Sequence, residues 1–189
     1  YNFQELRTEL EALGHRFATR SDGETIMHLY ESYGPRGALE RLRGMFAFAL
    51  WDERSGTAFL ARDRVGKKPL VFHEQDGRLC FASELAALLQ DSRIRREIDW
   101  NAVYHYLTFM CVPAPLTAFR GVRKLPPAHY LLFRNGETEI HRYWSLEYVP
   151  KLKVTRPEAC ERIRELFLEA VRLRLISDVP LGAFLSGGI

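Results

Sequence analysis

No stretch of this sequence stays apolar long enough to cross a bilayer as a helix, so a helical membrane protein is not what it describes. Cysteine is scarce. Cys80, Cys111 and Cys160 are odd in number and lack CxxC spacing, which argues against a disulfide framework or a zinc knuckle. They read as free thiols of a reducing, cytoplasmic setting, none as a nucleophile or metal ligand, and the sequence suggests no metal site. Charge of one sign is also in short supply: 27 Lys and Arg against 24 Asp and Glu leave a net charge of only +3. The densest basic run, Arg93-Ile94-Arg95-Arg96, has no interleaved aromatics and reads as a solvated face, so no nucleic-acid partner is expected. Lys67 after Gly66 fails as a Walker lysine because Ala61 stands where the leading glycine would be needed.

What is present is an ordinary globular composition, 47% hydrophobic and 27% charged, with strong local punctuation. Phe3, Leu6, Leu10 and Leu13 have helical spacing, and Gly14 follows as a stop. Ser21-Asp22-Gly23-Glu24 predicts a capping box opening a second helix that runs to Gly34-Pro35. The pattern then changes. Gly44 to Trp51 is continuously apolar, predicting a strand buried on both faces, and Thr57–Arg62 completes a hairpin with it. Asp76-Gly77 and Asn135-Gly136 each join two strand-like runs and predict two further hairpins. Short helices are expected from Glu84 to Leu89 and from about Asp99 to Thr108. Antiparallel hairpins packed by helices make an α+β fold.

A second unit is expected after a polar, proline-containing linker. The apolar positions Ala159, Ile163, Leu166, Phe167, Ala170, Val171, Leu173 and Leu175 form a helical stripe with Pro157 suited to its first position. Pro180 to Leu185 then reads as a buried strand entering the turn Ser186-Gly187-Gly188. Without a Cβ, Gly187 and Gly188 let backbone N–H groups approach an anion, and the Ser186 hydroxyl adds a donor. An ordinary strand-to-turn junction is the plainer alternative. The chain opens at Tyr1 and closes at Ile189 inside this turn, which predicts an internal piece of a longer protein.

Several ordered blocks carry a resemblance. They are Tyr1-Asn2-Phe3, Ser21 to Thr25, Leu42 to Asp52, Ala61 to Leu70, Phe81 to Leu85, Phe119 to Pro127, and Ser177 to Gly188. Together the chain resembles the glutamine-hydrolysing asparagine synthetase family over nearly its whole length. The resemblance implies an N-terminal-nucleophile-type αββα sandwich over residues 1–148, lacking its first part. A linker at 149–156 and the beginning of a doubly wound α/β synthetase domain at 157–189 would follow. It implies a carbon–nitrogen ligase: glutamine is hydrolysed for ammonia, and ATP with Mg2+ activates aspartate as an acyl adenylate that ammonia converts to asparagine. Glutamine, aspartate and ATP are the implied partners, with no membrane, and a homodimer of the full-length protein is compatible with it.

By the same resemblance Asp22 matches the aspartate that holds the α-amino group of glutamine, although capping the helix would account for it structurally. Leu185, Ser186, Gly187 and Gly188 match the ATP and pyrophosphate loop. No catalytic residue is assigned within the chain. The nucleophilic cysteine, the arginine that grips the glutamine carboxylate and the Asn-Gly pair of the oxyanion hole would lie before Tyr1. Asp63 and Arg64 are expected to form a salt-bridged turn, and Glu84 to cap a helix. A relative that amidates another carboxylate, a β-lactam-forming synthetase with a silent first domain, and a non-enzymatic binding domain are the competing readings.

Overall fold

A computed structural model describes residues 1–177, 179–183 and 187. In chain order it contains α1 (Phe3–Ala12), α2 (Asp22–Arg41), β1 (Ala47–Asp52), β2 (Thr57–Arg62), β3 (Val71–Gln75), β4 (Arg78–Ala82) and α3 (Leu85–Leu88). These are followed by α4 (Trp100–Phe109), β5 (Val122–Lys124), β6 (His129–Arg134), β7 (Glu137–Arg142) and α5 (Arg156–Arg174). The strands form two antiparallel sheets, ordered β1-β2-β6-β7 and β4-β3-β5.

Strand alternation builds the layers. In β2, Phe59 and Ala61 face α1 and α2 together with Leu6, Leu10, Leu29, Ala38 and Leu39. Leu60, between them, points the other way and meets Leu70, Phe72, Leu125 and Leu131 in a second core between the sheets. The three-stranded sheet repeats the device. Phe72 faces inward, while Val71 and Val122 face outward onto Leu88, Leu89 and Ile94. Period-two side chains on both faces thus stack helix, sheet, sheet and helix, the αββα arrangement expected from the sequence.

The two Gly-containing hairpins form as predicted. Asp76 and Gly77 have φ 52° and 69°, and Asn135 and Gly136 have φ 53° and 82°, the left-handed pair that a two-residue turn demands. The turns belong to different sheets yet meet at their tips: a Cβ added to Gly136 would lie 3.2 Å from the Gly77 Cα.

Several expectations need correction. β1 is an edge strand, not a strand buried on both faces, and Trp51 is 63% exposed. β2 is the strand buried on both sides, because it alone of the pair has strands on either edge and a core on either face. α2 does not end at Gly34-Pro35. Gly34 takes φ 67°, ψ −178°, kinking the chain, and Pro35 starts a further helical stretch to Arg41 that buries Ala38 and Leu39. Pro is tolerated in the first turn, where its missing N–H is no loss.

α5 forms, with Thr155 as N-cap and Pro157 at its second position instead of its first. Both the Thr155 N–H and its hydroxyl donate to Glu158, at 2.7 and 2.9 Å. None of its residues is buried, and Ile163, Leu166 and Phe167 are each more than three-fifths exposed. Of the predicted strand after it, residues 180–183 are described, and they carry no regular structure and are exposed. Leu185, Ser186 and Gly188 lie outside the described residues. No described helix is long and apolar enough to cross a membrane.

Candidate functional site

Asp22 occupies the first position of α2, exposed, on the rim of a cleft lined also by Tyr1, Asn2, Ile26, Arg43 and Gly44. Two local devices hold it there. The Ser21 hydroxyl caps α2 by accepting from Gly23 N at 3.1 Å. The predicted reciprocal half of a capping box does not form, because Glu24 turns back on the preceding loop. Its carboxylate accepts from Ala18 N at 2.6 Å and Thr19 N at 2.7 Å, and from the Thr19 hydroxyl at 2.5 Å. The Thr19 hydroxyl and the Ala18 amide pull the Glu24 pKa below the ordinary carboxylate range. Glu24 therefore fixes the approach of the chain to Asp22 rather than the helix end.

The opposite wall is tied down by Asn2, which is buried. Its amide donates to Arg41 O at 3.0 Å and its carbonyl accepts from Arg43 N at 2.9 Å, stapling the start of the chain to the end of α2. Gly44, with φ 149°, passes so close that a Cβ there would lie 2.9 Å from Tyr1 N. Tyr1 N donates to Arg43 O at 2.9 Å. Asp22 thus puts a carboxylate on the rim of this cleft, a group suited to a cationic partner.

The remaining sequence-marked residues do other work. Asp63 and Arg64 do not pair. Asp63 is fully buried and accepts from the backbone N–H groups of Val65, Lys67 and Lys68 at 3.2, 2.9 and 2.9 Å, organising the loop after β2. Arg64 donates to Glu40 O at 3.1 Å. Three backbone donors satisfy a buried carboxylate without a cation, which is why the expected ion pair is unnecessary. Glu84 stands at the N-cap of α3 as expected, but its side chain makes no capping bond. Cys80, Cys111 and Cys160 are free thiols. Cys80 lies against Asp91, with Sγ 3.6 Å from its carboxylate.

Gly187, the one described residue of the predicted phosphate loop, is exposed, and a Cβ on it would meet nothing within 4 Å. Among the described residues, none forms a cradle for a nucleotide around Gly187.

Two family models match the chain. One, described as a glutamine amidotransferase domain, covers residues 1–144, and another, described as asparagine synthase, covers residues 162–189. A glutamine-hydrolyzing asparagine synthetase of Bacillus subtilis (strain 168) is 36% identical over 190 residues, covering 100% of this chain and 31% of that protein. A putative glutamine-hydrolyzing asparagine synthetase of Methanocaldococcus jannaschii is 33% identical over 193 residues, covering 100% of this chain and 36% of the relative. An amidase of Gibberella zeae, chry2, is 36% identical over 200 residues, covering 100% and 28%. The chain thus spans about a third of the length of the curated relatives it matches. Among solved structures, a glutamine phosphoribosylpyrophosphate amidotransferase from B. subtilis aligns with TM-score 0.51 at 21% identity, over 77% of this chain and 27% of that one. At that identity the likeness speaks for the fold alone, and it agrees with the αββα layers.

Proposed function

We propose a function from one premise: the chain belongs to the glutamine amidotransferase domain family. In this reading the cleft beside Asp22 receives glutamine, and the Asp22 carboxylate holds the substrate α-ammonium. The observation that carries it is the position of Asp22, exposed at the head of α2 and facing a cleft whose walls are fixed by Asn2, Gly44 and the Glu24-held loop. A residue serving only as a cap would accept hydrogen bonds from backbone N–H groups, but Ser21 already does that, leaving the Asp22 carboxylate for a ligand.

The whole activity is that of a glutamine-hydrolysing asparagine synthase in the cytoplasm, in which ammonia released from glutamine amidates an ATP-activated aspartate. Support comes from the asparagine synthase match at residues 162–189 and from the names of the bacterial relatives. Residues 1–148 would be the amidotransferase domain, 149–156 the linker and 157–189 the start of the synthetase domain. Leu185, Ser186, Gly187 and Gly188 would contact ATP, with Mg2+ accompanying the nucleotide. None of the three cysteines, all mid-chain, offers a thiol next to a free α-amine, so the nucleophile is sought elsewhere. Amidation of a different carboxylate is the second reading, favoured by the amidase at the same 36% identity.

The test is Asp22→Asn in a full-length protein carrying these residues. Loss of one charge-assisted hydrogen bond costs about 1.5–3 kcal/mol, so the glutamine KM should rise roughly ten- to a hundredfold. Turnover with ammonia as donor should be unchanged. Equal losses with both donors would make Asp22 structural. Comparing aspartate with other carboxylates under ammonia separates the two acceptor readings.

A further inference from the structure

His15, His28 and Glu31 gather on one face of α2 and the loop before it, with their ligand atoms within 4.8 Å of one another. Nothing in the glutamine reading uses them. Glu31 Oε2 lies 2.7 Å from His28 Nδ1 and 3.5 Å from His15 Nδ1. Around a tetrahedral Zn2+ with bonds of about 2.0–2.2 Å, donor atoms sit roughly 3.3 Å apart, a value these two distances straddle. No Lys or Arg among the described residues pairs with Glu31. The nearby Arg7 is engaged by Glu11 and by Thr19 O.

The outer contacts fit the same demand. The second nitrogen of a metal-binding His usually bonds to an oxygen that sets the ring's tautomer. His15 Nε2 is 2.7 Å from Ser32 Oγ. His28 Nε2 is buried without a hydrogen-bond partner, 3.9 Å from Glu24 Oε1. If Nδ1 of His28 carries the proton toward Glu31, Nε2 is a bare lone pair facing a carboxylate. Metal on Nδ1 moves the proton to Nε2, where it points at Glu24. The orphaned nitrogen then becomes a donor facing an acceptor.

We propose that His15, His28 and Glu31 form a site for a borderline first-row divalent cation of the Zn2+ class, with solvent completing the coordination. Through Glu24 the ion would brace the loop at Ala18 and Thr19 that leads to Asp22. Two imidazoles and one carboxylate suit such an ion better than Mg2+, which prefers oxygen.

Zn2+ is titrated into the 189-residue chain against a chromophoric chelator near neutral pH. The expected result is one equivalent bound, weakened at least tenfold in His15→Gln and in His28→Gln. Ser32 is exposed and its loss should not disturb the fold, so Ser32→Ala tests the outer contact, with a roughly ten- to hundredfold loss expected. Co2+ in place of Zn2+ should give d–d absorption without a thiolate charge-transfer band, and Cys80→Ser, Cys111→Ser and Cys160→Ser together should leave binding intact. Absence of binding, binding unchanged in both His variants, or binding lost with the cysteines would each overturn the site.

Discussion

Residues 1–144 and α5 solve the same problem differently. In the first region the strands and the first two helices find partners: β2 feeds two cores, Phe59 into one and Leu60 into the other, although α4 buries only Ala102. α5 has as regular an apolar pattern and a well-made N-terminus, yet buries nothing, touching the rest through Arg43–Glu169 at 2.9 Å and Arg174 over the Tyr1 ring. The difference separates two sources of order. Capping and propensity suffice to write a helix, whereas burial is what ties an element to a cooperative fold.

The sharpest way to break this comparison is a matched pair. Phe59→Ala should cost about 3–5 kcal/mol through the lost burial and the cavity left among Tyr30, Phe48 and Tyr130. Phe167→Ala, at 67% exposure, should change the unfolding free energy read from urea curves by no more than about 0.5 kcal/mol. Equal effects would mean that α5 is packed after all.

Next in size is Asp63→Ala, which leaves three loop N–H groups without their acceptor. About 2–3 kcal/mol is expected, read from the same unfolding curves. An effect near zero would show that water replaces the carboxylate. Thr155→Ala should be smaller, about 1 kcal/mol, and confined to α5, visible in its helical signal but not in the global midpoint.

Glu24→Gln sharpens the comparison through pH. Because the folded pKa of Glu24 is lowered, its contribution is complete above the ordinary carboxylate range and is lost as pH falls through the folded value. The gap in Tm between the parent and Glu24→Gln should therefore be full at neutral pH and close on acidification. Faster amide exchange at Ala18 and Thr19 in the variant is the local readout. A gap that does not depend on pH would assign the loss to shape instead of charge.

Legibility in the sequence followed the range of each interaction. The Asp76-Gly77 and Asn135-Gly136 turns were readable because positive φ is a demand made on two adjacent residues. Ser21 as a cap was readable for the same reason, and the ordered motifs gave the layered fold. The edge position of β1 was not, since it depends on which strands lie beside it, and an apolar run looks alike at an edge and in a centre. Glu24 was misassigned because two acceptable partners compete for it, the helix end and the loop, and only the path of the loop decides. Asn2, reaching across to Arg41 and Arg43, left no local trace beyond standing in a recognisable block.

The meeting of Gly77 with Gly136 links two turns that hydrogen-bonding alone would leave independent. Each glycine is chosen twice, once by its own hairpin and once by the other's bare backbone. Selection at the two positions should therefore be coupled across the sheets: a side chain gained in one turn is excluded while the other stays close, so relatives that replace one glycine would be expected to have drawn the tips apart or changed the second turn as well. A short-range rule of hairpin chemistry becomes, at this one place, a long-range constraint on how the two layers vary together.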